Sequence, residues 1–292
     1  MSERYAFIRA EKARHNIAIL CRVLNVSRSG YYDWDKRKPS RRTRENASIV
    51  REIRQIHTTS KGCYGQRRMV AALKTQNIHA GRNRIGRLMR ENDIQVRQAR
   101  RFKVTTDSKH TFEIAPNVLA RKFHVDAVNQ ALVGDITYVK TAQGWLYLSV
   151  LLDLFSRRVV GWAMSARMDE ELTKAALRMA LGRRQPCRGF IHHTDRGSQY
   201  AAAGYRKMLR DAGSTVSMSR KGDCWDNAVS ESFFSSLKTE CLHGNHYVTR
   251  DEARSDILKY LLWYNADRLH STLGYVSPME FEKARLTTKQ CA

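Results

Sequence analysis

The chain has 292 residues, 42% of them hydrophobic, so it is long enough to bury a core without the help of disulfide bonds. Its 52 Lys and Arg residues against 28 Asp and Glu give a formal net charge of +24, which predicts a polyanionic partner such as nucleic acid. The six cysteines form no CxxC pair, which argues against a disulfide framework and a zinc ribbon. No apolar run suits a signal peptide or a membrane span, so we predict a cytoplasmic protein.

The positive charge is concentrated in the first part of the chain. Residues 1–110 contain 27 basic and 9 acidic residues, whereas the remaining residues contain 25 and 19. Charge of one sign at this density repels itself unless a counter-charge is bound. We therefore predict that the first 110 residues form an arm that binds DNA; the alternative is a solvated charged surface.

The beginning of this arm has the pattern of two short helices. In Asn16 to Trp34 the apolar residues follow helical spacing, the pattern breaks at Asn25-Val26, and it restarts behind Ser27, a good N-cap. A polar connector around Pro39 then leads into a helix predicted over 44–58.

A second pair of amphipathic helices follows, joined by a turn at Asn77 to Gly81. Its apolar positions, at helical spacing, are Met69, Val70, Leu73, Ile85, Leu88 and Met89. This pattern predicts a helix-turn-helix; the alternative is an ordinary solvated pair of helices. Arginines on its polar sides are the predicted contacts to the DNA backbone or groove: Arg67, Arg68, Arg82, Arg84 and Arg87.

The second half of the chain has the element order of an α/β domain. Three strands are predicted over 131–140, 144–156 and 157–165, followed by a helix over 169–182. Then come strand "GFIHHTD", helix "SQYAAAGYRKMLRDAG", strand "STVSMS" and helix "WDNAVSESFFSSLKTECL". This order predicts a ribonuclease H-like fold with a mixed five-stranded sheet, preceded by the all-α arm.

These patterns divide the chain into five segments. The predicted boundaries are an N-terminal helical region 1–60, a helix-turn-helix 61–110, a linker 111–128, the ribonuclease H-like core 129–248 and a C-terminal helical extension 249–292. The linker lies within a basic stretch of weak pattern over 96–130. The extension begins with a capping box at Thr249 and Glu252.

Two carboxylates fall at neighbouring places in the predicted sheet. Asp135 interrupts an apolar strand, and alternation places it on one face with Val133 and Val139. A carboxylate in this position costs several kcal/mol unless something binds it. In a ribonuclease H-like sheet the fourth strand lies beside the first, so Asp195, at the end of "GFIHHTD", is predicted to lie beside Asp135.

Glu231 is the third candidate, on the last predicted core helix and on the same side as Lys238. Three hard oxygen ligands without a paired histidine or cysteine suit Mg²⁺ or Mn²⁺ rather than zinc. We predict a site for two ions, which would activate a nucleophile and stabilise the leaving oxygen of a phosphodiester. The alternative is three unrelated surface or capping carboxylates.

Other polar residues near these motifs receive structural interpretations. Asp153 is predicted to bind Arg157 or a turn amide, and Asp223 and Asp226 to be helix N-caps. His192 and His193 flank Asp195 and are predicted to be structural, with contact to DNA phosphate as the alternative. Arg268 and His270 in the tail either contact DNA or hold the C-terminal helix through polar contacts.

Long motifs support one family. "GCYGQRRM", "GDITYV", "LYLSVLLDLFSRRVVGW", "HHTDRGSQY", "SMSRKGDCWDNAVSESFFSSLKTE" and "YNADRLHSTLGYVSPMEFE" occur in this order. Together they resemble the insertion-sequence transposases whose second reading frame encodes a DDE catalytic core related to retroviral integrases. Matched residue by residue, the family's two aspartates and glutamate fall on Asp135, Asp195 and Glu231. The resemblance also implies that Lys238 contacts element-end DNA near the site.

The function expected from these observations is metal-dependent cleavage at insertion-sequence ends followed by strand transfer. The partners implied are the terminal inverted repeats, the target DNA and further copies of the chain, because two DNA ends must be joined. The resemblance further implies an upstream frame, fused by frameshifting. Two alternatives remain at this point: a DNA-binding regulator without catalysis of its own, and a ribonuclease H-type nuclease without transfer activity.

Overall fold

The computed structural model describes residues 1–97, 114–220 and 224–290. Within them the chain forms two compact units, Met1–Ile53 and Arg54–Ala292. Residues 98–113, which include the first three residues of the predicted linker, and Asp223 lie outside the described residues. The predicted five-segment division stays a prediction.

The first unit begins with three helices, α1 (Ser2–Glu11), α2 (Ile17–Val23) and α3 (Arg28–Lys36). The predicted break and restart are confirmed: Asn25 has a positive φ of 49°, and the Ser27 hydroxyl accepts a 2.9 Å hydrogen bond from the Gly30 amide. Leu20 and Tyr31 are buried in the small core of this unit, whereas Val23 is 74% exposed. Helix α4 (Arg41–Thr59) follows, three residues longer at its start than predicted.

The helix-turn-helix lies in the second unit. Its helices are α5 (Gln66–Thr75) and α6 (Arg82–Glu91), which pack against each other. Met69 and Ile85 are fully buried, as the apolar spacing predicts, and Asn77 has a positive φ of 60° in the predicted turn.

The sheet has the predicted composition and order. Its strands are β1 (Ala131–Thr141), β2 (Gly144–Asp153), β3 (Val159–Ser165), β4 (Ile191–Thr194) and β5 (Thr215–Met218). They lie in the order β3-β2-β1-β4-β5, with the first three antiparallel and both β4 and β5 parallel to β1. This mixed five-stranded sheet confirms the ribonuclease H-like fold, and it places β4 next to β1.

Helices cover both faces of the sheet. They are α7 (Glu170–Arg184), α8 (Ser198–Ala201), α9 (Ala203–Asp211), α10 (Ala228–Leu237), α11 (Arg250–Ala266) and α12 (Pro278–Gln290). One core cluster joins Val133 and Val150 to side chains of α10 and α11. The other joins Leu132 and Leu151 to side chains of α7 and α9. The capping box at the start of α11 is present with both of its hydrogen bonds.

The helix predicted over 198–213 is broken, contrary to expectation. Ala202 leaves the helical conformation, with a ψ of 144°, and becomes the N-cap of α9. In a continuous helix Tyr200 and Tyr205 would point about 140° apart. The break lets both rings enter the same core cluster, where they meet edge to face at 5.4 Å. Tertiary packing therefore overrides the local helix propensity of three alanines.

Two further regions differ from a simple extrapolation of the sequence. The predicted linker packs on the core where it is described, because Leu119 is 2% exposed and its amide donates to the Ser217 hydroxyl at 3.1 Å. The helix predicted through Leu242 ends at Leu237 and continues as a π-helical turn, Lys238–Leu242.

Among the described residues, no helix is long and apolar enough to cross a membrane.

Candidate active site

Asp135 lies on β1, on the side of the sheet covered by α10 and α11. Val133 and Val139, two and four residues away, both belong to the core cluster on that side, so alternation gives Asp135 the same orientation. Its carboxylate accepts a 2.8 Å hydrogen bond from the Ile136 amide. The predicted face is confirmed.

Asp195 follows β4 directly, level with Asp135. The parallel register pairs Val133 with His193, and two more residues along each strand bring the two aspartates opposite each other. Gly134 permits this close approach, since a Cβ there would lie 3.3 Å from the Thr194 methyl group. The Asp195 carboxylate accepts a 2.9 Å hydrogen bond from the Gly197 amide, which fixes its orientation.

Glu231 reaches the same place from α10, which packs against β1. Phe233 and Leu237 are buried in the core, whereas Glu231 lies on the exposed side of the helix. It lies in the first turn of α10, where the helix dipole favours a negative charge. Burial of the carboxyl group nevertheless raises the pKa of Glu231.

The three carboxylates interact electrostatically. Burial raises the pKa of Asp135 well above its usual value, and the negative charges of Asp195 and Glu231 raise it further. The Ile136 amide and the positive charge of Lys238 act in the opposite direction. The structure therefore brings the three predicted carboxylates and the predicted lysine to one site.

Asp135, Asp195 and Glu231 are the side chains that could bind a divalent cation at this site. Among the described residues, no three His, Cys, Asp or Glu side chains are arranged to hold a metal ion as they stand. The negative charges of Asp195 and Glu231 both act on Asp135, so the three carboxylates lie near one another. Two carboxylates that raise the pKa of a third fit a hard cation, because such a cation removes the repulsion between them.

Lys238 is the first residue of the π-helical turn. Its ammonium lies 5.9 Å from the ring centroid of Tyr138, and Tyr138 meets Trp145 edge to face at 5.0 Å. Both aromatic rings are partly exposed, 36% and 45% for the whole residues. The site is thus bordered by a cation and by an aromatic pair that the sequence analysis does not single out.

The acidic residues that were set aside have structural roles. Asp153 accepts hydrogen bonds from the amides of Asn129, Phe155 and Ser156, as predicted for a turn. The prediction that Asp226 is an N-cap is wrong, because a 3₁₀ turn over Cys224–Asn227 precedes α10 and makes Asn227 the N-cap. Asp226 is instead a buried acceptor for three groups, which belong to Arg220, Arg121 and Asn117.

His192 and His193 are buried and hydrogen-bonded. The Nε2 atom of His192 lies 2.7 Å from the Tyr205 hydroxyl, and His193 lies within hydrogen-bonding distance of the hydroxyls of Ser217 and Ser219. Burial lowers the pKa of His192 to about 3 and that of His193 to about 4. Neutral, enclosed rings cannot act as phosphate-binding cations, which supports the structural interpretation.

The predicted DNA-binding arginines are not equivalent. Arg67, Arg82 and Arg87 are exposed and Arg84 is half-buried. Arg67, Arg68 and Arg82 line a cleft of about 440 Å³ that also includes Ser271 and Tyr275. Arg87 pairs with Glu91 at 3.7 Å.

The other three predicted residues, Arg68, Arg268 and His270, have side-chain contacts within the chain. The Arg68 side chain is 25% exposed and binds Glu240 at 3.4 Å. Arg268 is 2% exposed and donates two hydrogen bonds to the same carboxylate, at 2.6 and 2.7 Å. His270 binds the Thr272 hydroxyl at 2.8 Å, and burial, then the charge of Arg268, lowers its pKa to about 3. Of the two interpretations of Arg268 and His270, the structure favours the one in which they hold the tail.

Glu240 is the residue that the sequence analysis missed. It is 6% exposed and lies two residues after Lys238. The only local signal is its position between the buried residues Leu237 and Cys241. An acid in such a stretch needs a cationic partner from elsewhere in the chain.

Comparison with known families places two domains on this chain. The integrase core domain matches residues 125–224 and again 231–286. An HTH-like domain matches residues 43–102. These ranges contain all three carboxylates and the helix-turn-helix.

Individual relatives are similar over almost the whole chain. The insertion element IS600 uncharacterized 31 kDa protein of Shigella sonnei is 44% identical over 265 residues, 90% of this chain and 97% of that protein. The transposase InsF for insertion sequence IS3A of Escherichia coli (strain K12) is 40% identical over 286 residues, 97% of this chain and 99% of that protein. Among solved structures, the HTLV-2 integrase catalytic core domain in complex with magnesium is 16% identical, with a TM-score of 0.41, over 53% of this chain and 97% of that one.

Proposed function

Because the chain belongs to the insertion-sequence transposases with an integrase core, which are DDE-type polynucleotidyl transferases, we propose that it cleaves DNA at insertion-sequence ends and transfers the freed strands to target DNA. The observation that carries this proposal is that β4, the neighbour of β1, and α10, which packs on β1, bring Asp195 and Glu231 to Asp135. Carboxylates placed where they repel one another cost stability, and a functional site that binds cations is the usual reason to keep them.

The residues of the chain divide the work of this reaction. Asp135, Asp195 and Glu231 would hold Mg²⁺ or Mn²⁺, and a bound pair of ions would activate water or a 3′-hydroxyl and stabilise the leaving oxygen. The amides of Ile136 and Gly197 orient the two aspartates. Lys238 places a positive charge at the same site, where it would attract the phosphate that is attacked.

DNA would be held mainly outside this site. Arg67, Arg82, Arg84 and Arg87 belong to the helix-turn-helix, and the exposure of Arg67, Arg82 and Arg87 supports contacts with the phosphate backbone. The joining of two element ends to one target supports an active complex with more than one copy of the chain. The terminal inverted repeats and target DNA are the partners of this proposal.

A strand-transfer assay with labelled element ends in Mg²⁺ tests the catalytic assignment. Asp135→Asn and Asp195→Asn keep the shape of the side chains but remove the charge that binds a cation. Each should lower the rate about a thousandfold, which corresponds to about 4 kcal/mol. Asp251→Asn is the control, because the Asp251 side chain is 86% exposed on α11.

Two results would count against the proposal. If Asp195→Asn transfers strands as fast as the unmodified chain, the carboxylates are not catalytic. If the unmodified chain cuts an RNA–DNA hybrid but joins no ends, the chain is a nuclease rather than a transposase.

A further inference from the structure

Glu240 is the centre of a buried polar cluster. Its carboxylate accepts two hydrogen bonds from the Arg268 guanidinium, one from the Tyr260 hydroxyl at 2.9 Å and one from Arg68 at 3.4 Å. Its backbone carbonyl accepts a 3.0 Å hydrogen bond from Arg97. We call Glu240, Arg268, Tyr260, Arg68 and Arg97 the Glu240 cluster.

The members of this cluster come from distant parts of the chain. Tyr260 and Arg268 belong to α11 and the segment after it, while Arg68 and Arg97 belong to the helix-turn-helix and the residues that follow α6. The hydrogen bond between Arg68 and Glu240 spans 172 residues of sequence. Through this cluster the helix-turn-helix is bonded directly to the π-helical turn.

The π-helical turn continues the helix that carries Glu231. Lys238 begins the turn, Glu240 lies inside it, and the His243 amide closes it with a 2.7 Å hydrogen bond to the Lys238 carbonyl. Arg268 also donates to the Ser236 hydroxyl of α10 at 3.2 Å. A contact that fixes Glu240 therefore fixes the end of α10 and the backbone of Lys238. Insertions of this π type inside α-helices are frequent at functional sites.

We propose that Arg68 and Arg97 are positioning residues: they use Glu240 to hold α10 and the π-helical turn in place, so that the helix-turn-helix sets the position of Glu231 and Lys238. This inference rests on the proposed function, because it assumes that Glu231 and Lys238 serve the reaction. Under this inference Arg68 binds Glu240 and is not one of the arginines that contact DNA.

The surroundings of Arg68 support a structural contact rather than a DNA contact. The Arg68 side chain is 25% exposed and its guanidinium contacts the Glu240 carboxylate; burial, and next the charge of Arg268, lowers the pKa of Arg68. A DNA phosphate would have to compete with the Glu240 carboxylate for this group. Arg67 and Arg68 both line the cleft, but Arg67 is exposed whereas Arg68 is half-buried, so Arg67 is the matched comparison.

The test compares Arg68→Met with Arg67→Met in the full-length chain. DNA affinity is measured without divalent metal over a range of salt concentrations, and strand transfer is measured over a range of Mg²⁺ concentrations. Arg68→Met should keep the DNA affinity and its salt dependence but raise the Mg²⁺ concentration for half-maximal rate about tenfold, as changes beside metal ligands do. Arg67→Met should reduce the salt slope by about 1 and leave the Mg²⁺ dependence unchanged.

Amide hydrogen exchange provides a readout that does not depend on activity. In Arg68→Met the amides of residues 228–242 should exchange about tenfold faster, while those of α5 and α6 keep their protection. Arg68→Lys should restore most of both effects, because the contact uses a single nitrogen and a charged amine can replace it. If Arg68→Met does not unfold cooperatively, Arg68→Lys and Arg97→Met are compared in its place.

The inference is overturned if Arg68→Met lowers the salt slope as Arg67→Met does, or if exchange in residues 228–242 stays unchanged. Failure of the proposed function gives a different result. In that case Asp135→Asn retains activity, while the exchange experiment still decides whether the helix-turn-helix holds α10.

Discussion

Replacement of Arg268 by methionine should lower the free energy of unfolding by about 3–5 kcal/mol, the usual cost of removing one partner of a buried ion pair. Arg268 is 2% exposed and supplies two of the shortest contacts to Glu240, which is itself 6% exposed. Without it, Glu240 keeps only the Tyr260 hydroxyl at 2.9 Å and the more distant Arg68 at 3.4 Å among the side chains that bond it in the described structure.

Arg254→Met is a matched control on the same helix region. Arg254 pairs with Asp251 at 2.7 Å, but the two side chains are 38% and 86% exposed. An exposed pair of this kind contributes about 0–1 kcal/mol. The contrast between the two substitutions therefore isolates the effect of burial from the effect of removing an arginine.

Urea denaturation followed by tryptophan fluorescence measures the free energies of unfolding of Arg268→Met and Arg254→Met. The double variant Arg268→Met with Glu240→Gln completes a thermodynamic cycle with the two single variants. The double variant should lose less than the sum of the single losses, because neither charge is then left alone in the interior. A loss below about 1 kcal/mol for Arg268→Met, or losses that simply add, would refute the buried pair. Reduced DNA affinity of the folded Arg268→Met chain would return Arg268 to the group of DNA contacts.

Two further predictions concern groups whose pKa is shifted by burial. Because the folded-state pKa of Asp135 is raised, the protein loses stability as pH rises through that pKa and the carboxyl group ionises. Asp135→Asn should therefore raise the melting temperature at pH 8 in EDTA by about 2–4 °C. Added Mg²⁺ should stabilise only the unmodified chain. A lower melting temperature for Asp135→Asn in EDTA would contradict this. Burial lowers the pKa of His192 to about 3 in the folded state, whereas its pKa in the unfolded state is about 6.5. The neutral ring therefore contributes its whole stabilisation above about pH 6.5. The free energy of unfolding falls by up to about 1.4 kcal/mol per pH unit as pH drops toward about 3. His192→Gln should flatten the dependence of unfolding free energy on pH between 7 and 5, and an unchanged slope would show that the ring is not held neutral.

The features that sequence predicts well are those encoded locally. Alternation along "GDITYV" is enough to assign Asp135 to a face, and the order of strands is enough to place Asp195 beside it. The break at Ala202 has no local signal, because three alanines favour a continuous helix and only the burial of both Tyr200 and Tyr205 opposes it. Packing against the sheet decides the outcome at such positions.

The role of a charged residue is harder to predict because its partner can lie far away in sequence. Arg268 is separated from Glu240 by 28 residues and Arg68 by 172, and neither distance follows from periodicity. An arginine-rich surface helix looks the same whether its side chains bind DNA or a buried acid. Only the fold shows that Arg68 differs from its neighbour Arg67.

Two acids, Asp226 before α10 and Asp135 on β1, differ in the charges that surround them. Asp226 is fully buried, and hydrogen bonds from Arg220, together with Arg121, hold its pKa far below the usual range. Asp135 is half-buried, but the strongest charges around it are two further carboxylates, and its pKa moves in the opposite direction. In a chain with a net charge of +24, arginines are abundant enough to neutralise any acid. Acids that face one another destabilise a site until a cation binds, and this stability cost supports the proposed cation site.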